Sequence, residues 1–203
     1  MIFNQFKKKV YSQHGEDGII EEILKRLDKY LDYTCCEFGA WDGFVASNTL
    51  NLIKNKNYSA LLIESNKEKF QQLCKNIPDN KITKLNKFVE FNGKNSLDNL
   101  LKENNFNKNF DFLSCDIDGN DYHMFESLSA FRPKLICIEF NNSIPNDVNF
   151  VQKKDYKIYQ GCSPLALISL GAKKNYTAVA ATHCNLFFVD NKFKEQVIGE
   201  NII

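Results

Sequence analysis

Six carboxylates and one imidazole stand where this chain could do chemistry. Glu37 and Asp42 flank a glycine-rich turn, Glu37-Phe38-Gly39-Ala40-Trp41-Asp42-Gly43, that follows a short apolar run. A strand entering such a turn ahead of a helix is how open α/β sheets bind nucleotide-like cofactors. This turn is not the dinucleotide fingerprint G-x-G-x-x-G, because Phe44 or Val45 stands where the third glycine belongs and an acid lies inside it. A carboxylate there repels a pyrophosphate and suits a cofactor carrying an ammonium or a sulfonium. Glu64 ends the next apolar run, where an acid can take both hydroxyls of a ribose; a nicotinamide dinucleotide would use the same acid. Asp116 and Asp118, in Asp116-Ile117-Asp118-Gly119-Asn120-Asp121, and Glu139, in Ile138-Glu139-Phe140-Asn141, form a third group. Like charges so close require a proton or a cation between them. Their hard oxygens, with an imidazole from His14, suit Mg²⁺ or Mn²⁺; they would equally contact an amino group or cap a helix. His14 lies in Tyr11-Ser12-Gln13-His14-Gly15-Glu16-Asp17-Gly18, a polar segment before a helix. It reads either as a flap over the cofactor, with His14 as base or ligand, or as a plain helix N-terminus. His123 reads as structural and His183 as exposed in a hairpin turn.

These residues have to be positioned by a fold. Residues 15–30 place Ile19, Ile20, Ile23, Leu24 and Leu27 at helical spacing. Strand-like runs follow at 34–38, 59–63, 82–91, 111–115, 134–140, 176–181 and 185–189. Helix-like runs lie at 47–54, 67–76, 96–104, 122–130 and 164–170. Strands alternating with helices predict a mostly parallel sheet covered on both faces. Only Thr182-His183-Cys184 separates the last two strands, too short for a parallel crossover, so they are antiparallel. Ligands of such sheets sit beyond the carboxyl ends of the strands, and four strand ends here carry acids. Ser47, Asn48 and Thr49 open the helix after the first strand and are placed to bond a carboxylate.

Composition narrows the function. The 203 residues fit one domain, 1–203, with an N-terminal helical segment, 1–31. With 26 basic and 25 acidic residues the net charge is +1, without the basic face that nucleic acid requires. No apolar stretch spans a bilayer, and the N-terminus lacks the apolar core of a signal peptide. Seven cysteines, odd in number and without C-x-x-C spacing, indicate a reducing, cytoplasmic compartment.

The turn E-F-G-A-x-D-G resembles the first motif of class I S-adenosylmethionine-dependent methyltransferases. Taken with S-Q-H-G-E-D-G-I-I, S-N-T, I-E-S, D-F-L-S-C-D-I-D-G-N-D-Y-H, I-E-F-N and I-P-N-D-V, the chain is similar to the FkbM-like methyltransferases of bacterial glycan and natural-product clusters. The likeness runs from about Tyr11 to Val189. Within that group it is similar to the small enzymes that build the O-methyl phosphoramidate decoration of capsules. FkbM-like proteins usually carry D-V-E-G after the fourth strand, whereas this chain has Asp116-Ile117-Asp118-Gly119, which puts the usual sugar hydroxyl acceptor in question.

The resemblance implies a Rossmann-like, seven-stranded class I methyltransferase fold. It implies S-adenosylmethionine held by Tyr11, Gln13, Glu37, Gly39, Ala40, Asp42, Ser47, Asn48, Thr49, Glu64 and Asp116. His14 and Asp118 become the catalytic candidates, and His14, Asp116, Asp118 and Glu139 the candidate ligands of Mn²⁺ or Mg²⁺. The partner is a small polar acceptor (a sugar, a nucleotide-linked compound or a phosphoramidate), with neither nucleic acid nor membrane expected. Two rivals stand beside this reading. One is a nicotinamide-dependent oxidoreductase, against which the missing third glycine and Asp42 argue. The other is a non-catalytic protein on a cofactor fold, against which the density of acids argues, since unneeded buried charge is costly.

Overall fold

The computed structural model describes residues 1–199. Seven strands, β1 (Thr34–Phe38), β2 (Ser59–Glu64), β3 (Ile82–Asn86), β4 (Phe112–Cys115), β5 (Leu135–Glu139), β6 (Tyr176–Ala181) and β7 (Asn185–Asp190), form one sheet in the order β3-β2-β1-β4-β5-β7-β6. The first five are parallel, and β7 is antiparallel to both of its neighbours. The sheet and its final hairpin are as the sequence predicts. Side chains alternate across it with the period of two that a pleated strand imposes. Cys35, Leu135, Cys137, Phe187 and Val189 face one layer; Cys36, Phe38, Ile136, Ile138, Leu186 and Phe188 face the other.

Helices cover both faces. α1 (Glu16–Arg26), α2 (Leu50–Lys56), α3 (Lys67–Asn76) and α7 (Lys194–Ile198) bury Ile19, Ile23, Leu50, Leu73 and Val197 on the first face. α4 (Leu97–Glu103), α5 (Asp121–Ser127) and α6 (Pro164–Lys173) bury Leu101, Phe125 and Leu167 on the second. Local chemistry sets their starts. The Asn66 side chain accepts the amides of Glu68 and Lys69, the Ser96 hydroxyl accepts that of Asn99, and Ser163 caps α6 ahead of Pro164. Among the described residues no helix is long and apolar enough to cross a membrane.

Register brings the acids level. Phe38 pairs with Ile63 on one side and Cys115 on the other, and Cys115 pairs with Ile138. Glu64, Gly39, Asp116 and Glu139 are each the next residue beyond that line. The order of the strands reverses at β1 and β4, and the crevice beyond such a reversal is where open α/β sheets take ligands.

At the opposite end of the sheet Lys134 donates to Asp111 at 2.7 Å, both side chains being almost wholly buried. Burial pushes the Asp111 carboxyl up, and Lys134 partly offsets this. The same carboxylate accepts the amides of Asp32 and Tyr33 and so ties the entry of β1 to β4. Removing one partner of a buried pair strands the other, so Lys134→Ala is expected to destabilise the fold by about 3–5 kcal/mol at neutral pH. The loss should shrink towards pH 4, as Asp111 takes up a proton. Urea unfolding at the two pH values checks this; equal losses would show that the pair contributes no charge interaction.

Candidate active site

Two clefts meet at the carboxyl ends of the strands. The first, about 420 Å³, is bounded by the β1 turn, by Glu64 and Asn66 after β2, by Phe88 and Val89 after β3, and by Asp116 to Asp118 after β4. The second, about 400 Å³, is lined by Gln13, His14, Asp118, Asp121, Glu139, Asn142 and His183. Asp118 and Tyr159 belong to the walls of both.

The floor of the first cleft is built around Glu37. Its Oε2 accepts the hydroxyls of Ser47 (2.7 Å) and Thr49 (2.6 Å), and its Oε1 accepts the amide of Asn48 (2.8 Å). The Asn48 amide group donates to Ser114 Oγ on β4 at 3.0 Å. Ser47, Asn48 and Thr49 are thus committed to Glu37. Ser47 and Asn48 still line the cleft, while Thr49 is fully buried behind it. Burial raises the Glu37 carboxyl, and its three donors hold the rise in check.

Gly39, at φ 79°, lets the turn touch β4: a Cβ there would lie 1.7 Å from the Asp116 carbonyl oxygen, so no other residue fits. Trp41 and Ala46 also have positive φ. Such conformations persist only where the surroundings over-determine them. One determinant is Glu64, whose Oε2 accepts the Trp41 amide (2.8 Å) and whose Oε1 accepts that of Asn66 (2.6 Å). The other is Asp42, whose Oδ1 accepts the amides of Phe44 and Val45. Asp42 therefore shapes the turn from outside the cleft, whereas Ala40 and Glu64 line it.

The N-terminal segment runs past the second cleft. Asp17 Oδ2 accepts the amides of Val10, Tyr11 and Ser12 at 2.8 to 2.9 Å, and the Ser12 hydroxyl accepts the amide of Asp17 in return. Glu16 takes the amide of His14 and, at 3.3 Å, the side chain of Asn185 on β7. This strap puts Gln13 and His14 on the second cleft. Tyr11 goes elsewhere: its ring packs on Phe44, 5.8 Å between centroids, with the Lys54 ammonium over it.

At the junction of the clefts, oxygens of Asp116, Asp118 and Glu139 lie within 4.8 Å of one another. Burial raises the Asp116 carboxyl to about 6, with the Asp118 charge adding to it. Burial raises Glu139 to about 9, reinforced by Asp116, Asp121 and Asp118. Both carboxyls are thus held above the ordinary carboxylate range, Glu139 the further of the two. His14 lies outside this group of three; its ring meets that of His183 at 5.0 Å, edge to face, and His183 bonds Asn142 at 2.6 Å.

Several lining residues carry no local sequence signal. His183, exposed in the hairpin turn as expected, also faces His14. Phe88 and Tyr156 meet at 4.8 Å and Tyr156 stacks on Phe91 at 4.3 Å, closing one end of the first cleft. Tyr156 and Tyr159 come from the irregular stretch 141–161. That stretch is organised by Gln152, whose Oε1 accepts the amides of Gln160 and Gly161.

Comparison with known proteins bears on this arrangement. A family model described as the methyltransferase FkbM domain matches residues 93–158, the stretch from the loop before α4 through the Asp116–Asp121 loop to Ile158. The structure of monomeric WbdD aligns with 85% of this chain and 40% of its own, at 13% identity and a TM-score of 0.54, so this chain spans about two fifths of that protein. A putative caffeoyl-CoA O-methyltransferase from Staphylococcus aureus aligns over 90% of this chain and 85% of its own, at 14% identity and a TM-score of 0.56. The N-terminal domain of EvdMO1, solved in the presence of SAH and D-fucose, aligns over 86% and 82%, at 10% identity and a TM-score of 0.50. Comparison with the curated proteins finds no match. At these identities the structural likeness is one of fold, the class I methyltransferase fold. Together with the FkbM match, it supports an S-adenosylmethionine-dependent methyltransferase.

Proposed function

We propose that this chain transfers the methyl group of S-adenosylmethionine to an oxygen of a small polar acceptor, a sugar or a phosphoramidate, in bacterial capsule or glycan biosynthesis. The observation that carries the reading is the wall common to the two clefts. Asp118 lines both, and Asp116 and Glu139 reach it from opposite sides. A donor in the first cleft and an acceptor in the second would meet at those carboxylates. Methyl transfer is an in-line displacement, so holding both partners in line supplies most of the acceleration, up to about 7–11 kcal/mol.

Each residue then has a role. Glu64, with both oxygens already ordering the cleft, bonds the ribose hydroxyls. Glu37, Gly39 and Ala40 form the methionine end. His14 faces the acceptor cleft and takes the acceptor's proton. The junction suits a hard divalent cation: three carboxylates converge there, and burial and mutual repulsion disfavour the anions of two of them, Asp116 and Glu139. Asp116, Asp118 and Glu139 would hold Mn²⁺ or Mg²⁺, with His14 beside them; the ion would orient an acceptor oxygen and lower its pKa.

Glu64→Ala is expected to weaken S-adenosylhomocysteine binding by about 1.5–3 kcal/mol, the loss of charged hydrogen bonds. Calorimetry measures it directly, and unchanged affinity would remove Glu64 from the ribose. The acceptor is found by incubating the enzyme and a methyl-labelled donor with extract of the source cells and following the label by mass spectrometry. Label only in water-derived methanol, with none in a sugar or phosphoramidate, would sink the proposed acceptor class.

A further inference from the structure

Asp121 has no part in the roles given above, yet it is almost wholly buried beside the junction. It opens α5, is 2% exposed, and makes no ion pair among the described residues. Its Oδ1 accepts the amide of Ile117 and its Oδ2 that of Gly119, both at 3.0 Å, and Oδ1 lies 3.4 Å from the Cys115 thiol. One carboxylate therefore clasps the loop at the end of β4 and at two points beyond it. Asp118 sits between the two clasped amides at φ 57°, and Gly119 follows at φ 146°. A non-glycine residue in that region is held there by its surroundings. On the far side Gly119 is closed in: a Cβ would lie 3.0 Å from Tyr159 Cα and 3.1 Å from Gln152 Oε1.

We infer that Asp121 is the positioning residue of the junction, the group whose two oxygens hold the 116–120 loop so that Asp118 turns toward Asp116 and Glu139. The choice of side chain supports this. A buried carboxylate without a cation is costly, and an amide would be cheaper to bury. An amide has one acceptor oxygen, however, and would turn its NH₂ toward one of the two N–H groups. Only a carboxyl accepts both. Glu139 comes from β5 and is placed by the sheet, so Asp118 is the member whose position depends on the clasp.

The inference rests on the metal reading proposed above, and the test separates the two. Mn²⁺ alone is titrated into the full chain, wild type and Asp121→Asn, by calorimetry, with S-adenosylhomocysteine titrated in parallel and thermal unfolding followed with and without Mn²⁺. Wild type is expected to bind Mn²⁺. Asp121→Asn should bind it about 10–100-fold more weakly, as for loss of a group that orients a metal ligand, with S-adenosylhomocysteine affinity kept. Its Mn²⁺-induced rise in Tm should shrink; a purely structural role would lower Tm equally in both conditions and leave that rise intact. If Asp121→Asn does not fold, Asp121→Ser, which keeps one acceptor, carries the same comparison. Equal Mn²⁺ affinity in wild type and variant overturns the positioning role alone. Absence of Mn²⁺ binding by wild type overturns the metal reading and this inference with it.

Discussion

Methyl transfer is expected to fall roughly a hundredfold or more in excess EDTA and to return with Mn²⁺, because a bound cation supplies several kcal/mol of charge stabilisation and each 1.36 kcal/mol is tenfold in rate. Binding of S-adenosylhomocysteine should persist throughout, since Glu37 and Glu64, which order the turn and floor of the first cleft through their own hydrogen bonds, are not among the three junction carboxylates. Asp118→Asn should mimic the chelator: it removes one anionic ligand with little change in volume and leaves Glu64 and Glu37 untouched. A single assay with a labelled methyl donor reads all three conditions. Full turnover in excess EDTA, from protein that carries no metal, would rule the cation out and leave His14 to act as base without it.

The acids of this junction were legible in the sequence because strand ends are legible. Apolar runs of five or six residues that stop at a carboxylate place that carboxylate at the rim of the sheet, and register then makes Glu64, Asp116 and Glu139 level. The predicted third strand shows the limit. The run 82–91 reads as one strand, but pairing stops at Asn86. Phe88 and Phe91 have strand-like side chains, yet they leave the sheet to pack on Tyr156, more than sixty residues away. Propensity describes a half-buried surface and is silent about which surface. The helix expected at 47–54 starts instead at Leu50. Ser47 and Thr49 spend their hydroxyls on Glu37, a contact across ten and twelve residues that no local pattern encodes. His183 is the exposed turn residue that the short hairpin predicts, but its neighbour is written in no local pattern. Only the strap pinned by Asp17 brings His14 to its face.

Metal-free Glu139→Gln is expected to be more stable than metal-free wild type at pH 8, with the difference vanishing near pH 4. The sign follows from where the proton sits. In the unfolded chain Glu139 loses its proton near 4.3, the ordinary glutamate value; in the fold it keeps it to about 9, because burial and the neighbouring charges of Asp116, Asp121 and Asp118 disfavour the anion. An acid whose pKa is raised by folding contributes stability that is fully present below the unfolded value and is lost as pH rises through the folded one. Glutamine is neutral at every pH and nearly the same shape, so it escapes that loss. The gain should reach the order of a few kcal/mol, and a chain of this size gains roughly 2–4 °C in Tm per kcal/mol. Mn²⁺ should invert the order, since the cation stabilises the ionised wild-type site more than a site with one anionic ligand removed. Differential scanning calorimetry from pH 4 to 9, with EDTA and then with Mn²⁺, gives both comparisons. Wild type and variant tracking each other across the range in EDTA would mean that Glu139 is ionised at neutral pH without a cation, and that its burial does not hold the proton.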